Sequence, residues 1–124
     1  MKIQAAYFSN TGSVRARNED GLLIDQKLVA GADMSSPVLT ELNGDQHVLV
    51  VADGLGGHVG GEKATQTVLK TFRRNQDRLV DNSSLLDVIG KCKAALNRKV
   101  KTNQGLYGFG STTAGIIIGN GLYI

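Results

Sequence analysis

At 124 residues, 41% of them hydrophobic and 20% charged, the chain has the length of about one globular domain and an ordinary core-forming composition. Its single cysteine, Cys92, excludes an internal disulfide, and neither a long apolar run nor a signal-type N-terminus points to a membrane, so a soluble cytoplasmic protein is expected. The net charge of +3 is unevenly spread: residues 1–60 carry 4 Lys/Arg against 7 Asp/Glu, whereas residues 61–124 carry 10 against 4.

Residues 2–9 (KIQAAYFS) alternate loosely and end at the turn formers Asn10, Thr11 and Gly12, which predicts a first strand. The mixed-charge run 14–20 (VRARNED) leads into Leu22, Leu23 and Ile24, a second strand. Residues 31–46 hold the only proline and many turn residues, and read as a loop or hairpin with Asn43-Gly44 as its strongest turn. Val48, Leu49, Val50 and Val51 form a continuous apolar run, the pattern of a strand buried on both faces. His47, just ahead of it, reads as a surface residue.

Asp53 follows that strand, and then Gly54, Gly56, Gly57, Gly60 and Gly61 form a glycine loop. A helix is predicted from near Gly60 to about Asn75, with Ala64, Val68, Leu69 and Phe72 on its apolar stripe and Arg73, Arg74 and Arg78 suiting its C-terminal end. Ser84 to Lys101 reads as a second helix with Leu85, Ile89, Cys92, Leu96 and Val100 on one face. On that helix Lys91, Lys93, Arg98, Lys99 and Lys101 lack interleaved aromatics, so they read as a solvated face and no nucleic-acid partner is expected. Ser111 to Ile124 then gives an apolar strand, an Asn120-Gly121 turn and the start of another strand.

The chemistry is sought where the buried strand meets the glycine loop. Gly54-Leu55-Gly56-Gly57-His58-Val59 lacks the last glycine of a dinucleotide fingerprint, and Gly61 is followed by Glu62 rather than by the Lys-Ser/Thr of a P-loop. A hard divalent cation fits better: Asp53 offers carboxylate oxygens and a glycine carbonyl can turn in beside it, with Glu19 and Asp20 as further oxygen donors should their turn pack nearby.

Three motifs in order carry a resemblance: Arg15-x-x-Asn18-Glu19-Asp20, then Val51-Ala52-Asp53-Gly54-Leu55-Gly56-Gly57-His58-x-x-Gly61-Glu62-x-Ala64-Thr65, then Gly110-Ser111-Thr112-Thr113. Together they resemble the bacterial branch of the metal-dependent protein serine/threonine phosphatases, the PPM or type 2C class. The resemblance covers residues 1–124 and matches the N-terminal part of one such domain. It implies an α/β (α+β) sandwich, two mainly antiparallel β-sheets flanked by helices, with a pair of Mn2+ or Mg2+ ions at one edge.

By that resemblance Asp53 matches the acid bridging both ions and Gly54 the residue lending its carbonyl to one. Glu19 matches an acid beside the same centre, acting mainly through coordinated water, with Asp20 supporting it. Arg15 matches the arginine that binds the substrate phosphate, a task suited to its fork of donors. The implied reaction is hydrolysis of phosphorylated Ser/Thr proteins in signalling by an ion-activated water, without a covalent intermediate, so Cys92 reads as a core residue. His58 stands three residues beyond the position where some relatives carry a general acid; it is open to a proton-transfer or a loop-shaping role. The family's Gly-Asp-Ser-Arg turn and two later metal-site aspartates have no counterpart in residues 1–124, which implies weak metal binding by this segment alone and an open apolar sheet edge at Ile116–Ile118 able to self-associate or pair. The alternative class is a non-catalytic half-domain serving as an interaction module.

Overall fold

The computed structural model describes residues 2–56, 60–119 and 122–123, the last pair by backbone alone. Gly57, His58, Val59, Asn120 and Gly121 therefore lie outside the described residues, and with them the readings of His58 and of the Asn120-Gly121 turn.

Two antiparallel sheets are formed. β1 (Lys2–Tyr7) pairs with β4 (Val38–Asn43) as a two-stranded sheet, Lys2 opposite Asn43 and Tyr7 opposite Val38. The second sheet has the order β3-β2-β5-β6-β7, built from β2 (Asp20–Ile24), β3 (Lys27–Ala30), β5 (Gln46–Leu55), β6 (Gly110–Gly119) and β7 (Leu122–Tyr123). Two helices connect β5 to β6: α1 (Gly60–Asn75) and α2 (Asn82–Thr102).

Period-two alternation explains how β5 sorts its side chains. Val48, Val50 and Ala52 face α1 and join Leu23, Val68, Leu69, Phe72, Val88, Cys92 and Ile117 in the main core. Leu49 faces the other way, where Leu22, Ile24 and Leu42 form a second cluster under Ile3 and Tyr7 of β1. Burial on both faces therefore holds for only part of the apolar run, and Val51 is 56% exposed. The physical reason is coverage: the two-stranded sheet reaches Leu49 and stops short of Val51, Asp53 and Leu55.

Other readings need correction. Residues 31–46 contain the strand β4, hidden from periodicity because only Leu42 of its six residues is buried. Asn43-Gly44 does not close a hairpin, since β4 and β5 belong to different sheets and the chain crosses between them there. β3 was not foreseen; Asp25, at φ 49°, makes the tight turn that returns β2 into it. His47 is buried, 1% exposed, with Nδ1 2.9 Å from Asp25 Oδ2, while Asp25 Oδ1 accepts the Val48 N–H at 2.8 Å. On α2 the buried residues are Val88 and Cys92, whereas Ile89 is exposed, and the cap is Asp81, with Ser84 as its partner in a capping box.

Candidate functional site

The antiparallel register of β2 and β5 sets Asp20 directly opposite Asp53. Opposed residues share a face of the sheet, and both carboxylates line an open groove of about 540 Å³ together with Phe8, Ser9, Asn10 and Thr112. Thr112 is in turn the partner of Asp53 across β6, so three adjacent strands set the floor. The Asp20 carboxyl is held above its ordinary pKa, first by partial desolvation, then by the charge of Asp53 and a side-chain hydrogen bond with it, and then by the Glu19 charge; Arg15 pulls the other way. A neighbouring carboxylate that hinders the ionisation of Asp20 marks a local surplus of negative charge.

Glu19, one residue before the strand, is held differently. Its backbone oxygen accepts the Gly54 N–H at 3.3 Å and the Thr65 hydroxyl at 2.7 Å. Its carboxylate reaches the first turn of α1. A Cβ placed on Gly61 would lie 2.6 Å from Glu19 Oε1 and 2.7 Å from the Gly54 carbonyl oxygen. Those two oxygens thus flank one point, which is open because residue 61 has no side chain. Gly54 is glycine for the matching reason, since a Cβ there would run into the Gly61 carbonyl and sit 2.7 Å from Thr65 Oγ1. The glycines here serve close approach of helix to strand.

Arg15 is exposed on the turn before β2 and makes no ion pair among the described residues, although its charge is felt by Asp20. Sequence reasoning gave Asn18 no role of its own. It is buried, its amide donates to Ser9 Oγ at 2.8 Å and to the Ala32 carbonyl at 2.7 Å, and its own oxygen accepts the Asp20 N–H at 3.0 Å. It ties the end of β1, the loop after β3 and the start of β2 into one unit. Thr65, fully buried on α1, was likewise unassigned. The signal available for both was their place inside the quoted motifs.

The donor set is chemically that of a hard cation: carboxylates and a backbone carbonyl, with no thiolate or imidazole among the described residues that line the groove. Among the described residues no three of His, Cys, Asp and Glu gather into a ready-made metal cage. A cation among Asp20, Asp53 and Glu19 would offset the Asp53 and Glu19 charges, which together with desolvation, the larger cause, raise the Asp20 pKa. On that ground the residues fit a divalent ion held partly by water.

Known structures share this architecture. The chain is similar to the Mycobacterium tuberculosis serine/threonine phosphatase PstP/Ppp, with 25% identity and a TM-score of 0.68 over 99% of this chain and 46% of that one. It is similar to the catalytic domain of the serine/threonine protein phosphatase PstP in complex with two manganese ions, at 25% identity and a TM-score of 0.67, over 96% and 44% of the two chains. A serine/threonine phosphatase of S. agalactiae shares the fold at 19% identity and a TM-score of 0.62, over 97% and 45%. The chain spans less than half the length of each of these neighbours. No protein-family model matches the sequence, and no curated protein matches it.

Proposed function

From a chain whose fold is that of part of a PPM-type serine/threonine phosphatase domain, we propose that it is the N-terminal part of one metal-dependent protein serine/threonine phosphatase domain, acting on phosphorylated Ser/Thr proteins. The observation that carries this reading is the Asp20–Asp53 pairing on one groove, with the Glu19 carboxylate and the Gly54 carbonyl converging beside it at Gly61. Asp53 and the Gly54 carbonyl are the residues assigned to hold Mn2+ or Mg2+, and Glu19 is assigned to the same ion through water. When bound, such an ion polarises phosphoryl oxygens and lowers the pKa of the water that it carries.

The chain's own residues do the rest. Asp20 adds negative charge that draws the cation into the groove and accepts hydrogen bonds from its water. Asn18 holds Glu19 and Asp20 in place by fixing the turn between them. Arg15, exposed and without a carboxylate partner among the described residues, is free to offer two parallel N–H donors to a phosphate.

The test is Mn2+ titration of the chain, followed by the loss of the free-ion electron paramagnetic resonance signal. Asp53→Ala is expected to abolish binding, and equal binding by both proteins would remove the assigned ligand. Hydrolysis of an aryl phosphate is expected of a protein that also supplies the remaining half of the domain, with the same dependence on Asp53.

One observation favours a second reading, an interaction module that pairs through the part of the β5–β6 face that the two-stranded sheet leaves uncovered. Val51, Leu55 and Ile116 are exposed there, and β7 pairs with β6 only at Ile118 and Gly119, leaving the rest of that edge open among the described residues. A concentration-dependent dimer that persists in Asp53→Ala would support it.

A further inference from the structure

On the helical side of the molecule, α1 and α2 pack side by side, Cys92 Sγ meeting the Val68 carbonyl at 3.9 Å, and a groove of about 420 Å³ runs along their seam. Five cations line it: Lys63, Lys70 and Arg74 from α1, and Arg98 and Lys99 from α2. No carboxylate does. The nearest acid on α1, Glu62, is turned toward Gly31 and accepts a hydrogen bond from Gln66 at 2.9 Å. None of the five makes an ion pair among the described residues, whereas Lys2 pairs with Glu41 and Lys91 with Asp87.

An isolated exposed lysine is ordinary, but five unpaired like charges on one concave seam repel one another. The α1 stripe of Lys63, Lys70 and Arg74 covers about 16 Å at helical rise. Its positions are set apart from the buried stripe of Ala64, Val68 and Phe72, so the charges are not a by-product of burial. We infer that this seam is a docking groove for an acidic, extended peptide segment of a protein partner. Charge complementarity selects the occupant, and the lining decides between polyanions. It holds no aromatic on which nucleobases could stack. Apart from Ala95 it offers no apolar side chain to enter a bilayer. It is open and polar, unlike the enclosed, mostly apolar sites that hold small molecules. The inference stands apart from the phosphatase reading, because the groove lies across α1 from Asp20 and Asp53 and uses none of their residues.

The experiment is fluorescence anisotropy of a labelled Glu-rich peptide with the whole chain at low salt. Binding is expected, weakening steeply as salt is added. Lys70→Glu combined with Arg98→Glu is expected to weaken it roughly tenfold or more. Lys93→Glu, exposed on α2 outside the groove, is expected to change it by less than about twofold. Circular dichroism confirms that each variant folds, and a misfolded pair is replaced by Lys63→Gln with Lys99→Gln, expected to lose binding in the same sense. Absence of peptide binding, equal loss in Lys93→Glu, or no loss in folded groove variants would overturn the proposal. So would tighter capture of an oligo-thymidine, of phosphatidylserine vesicles or of inorganic triphosphate than of the peptide.

Discussion

Asp20 and Asp53 stand directly opposite each other on β2 and β5, and their carboxylates look out on the same groove. Like charges directly opposed across strands disfavour folding. A cation that binds the fold and not the unfolded chain converts this opposition into stabilisation. Mn2+ at about 100 times its dissociation constant is expected to add about 2.7 kcal/mol to the unfolding free energy, read as a higher urea midpoint. Asp53→Ala is expected to lose that increment, and an increment of unchanged size would take Asp53 out of the site.

The meeting of β5 with the start of α1 makes a second prediction. A methyl group on Gly54 would collide with the Gly61 carbonyl, and backbone cannot swing aside as a side chain does. Gly54→Ala is expected to cost about 1–3 kcal/mol or more through overpacking. Gly90→Ala is the contrast, since nothing lies within 4 Å of a Cβ there and the residue is inside α2. It is expected to gain about 0.5–1 kcal/mol from helix propensity. Denaturation in urea separates the two, and a Gly54→Ala chain as stable as its parent would mean that α1 is not seated against β5.

These two cases show what was legible in the chain. α1 was readable to its ends, Gly60 and Asn75, because its apolar residues Ala64, Val68, Leu69 and Phe72 repeat at helical spacing and are all buried. The strand before Asp53 was readable from its valines, but not its continuation through Asp53 and Gly54 to Leu55, which take ladder positions in the sheet and not in a loop beyond it; the motif order pointed to the two-sheet architecture. β4 was not, because a strand with one buried residue has no apolar alternation to detect. His47 was misread for a related reason: its burial depends on Asp25, 22 residues away, and a polar residue beside a strand carries no local sign of such a partner. At the candidate site, residue types were legible, but the pairing of Asp20 with Asp53 is a fact of register that only the assembled sheet supplies.

The His47–Asp25 contact gives a third prediction. Asp25 joins two donors, the His47 ring at 2.9 Å and the Val48 N–H at 2.8 Å, while the His47 Nε2 finds no partner among the described residues. Asp25→Ala removes both acceptors at once and places alanine at a left-handed φ of 49°. It is expected to cost about 1–3 kcal/mol, the penalty for leaving buried donors unmet. Asp25→Asn keeps an oxygen for Val48 and tolerates that φ, so it is expected to lose less. Equal losses in the two variants would show that the ring contact, rather than the turn, dominates.

The start of α2 carries the pH prediction. Asp81 Oδ1 accepts the Ser84 N–H at 2.7 Å, and Ser84 Oγ accepts the Asp81 N–H at 3.0 Å. The backbone hydrogen bond from Ser84, followed by the Ser84 side chain, holds the Asp81 carboxyl below its ordinary pKa. A carboxylate with a lowered pKa in the fold stabilises it above the unfolded value, and that contribution is lost as pH falls through the folded value. Amide hydrogen exchange at Ser84 and Leu85, the residues whose N–H groups reach Asp81, is therefore expected to lose protection on acidification through and below the usual carboxylate range. Asp81→Asn still caps without a titrating group, so its protection is expected to stay level over the same range. The same acid-dependent loss in Asp81→Asn would place the titrating group elsewhere.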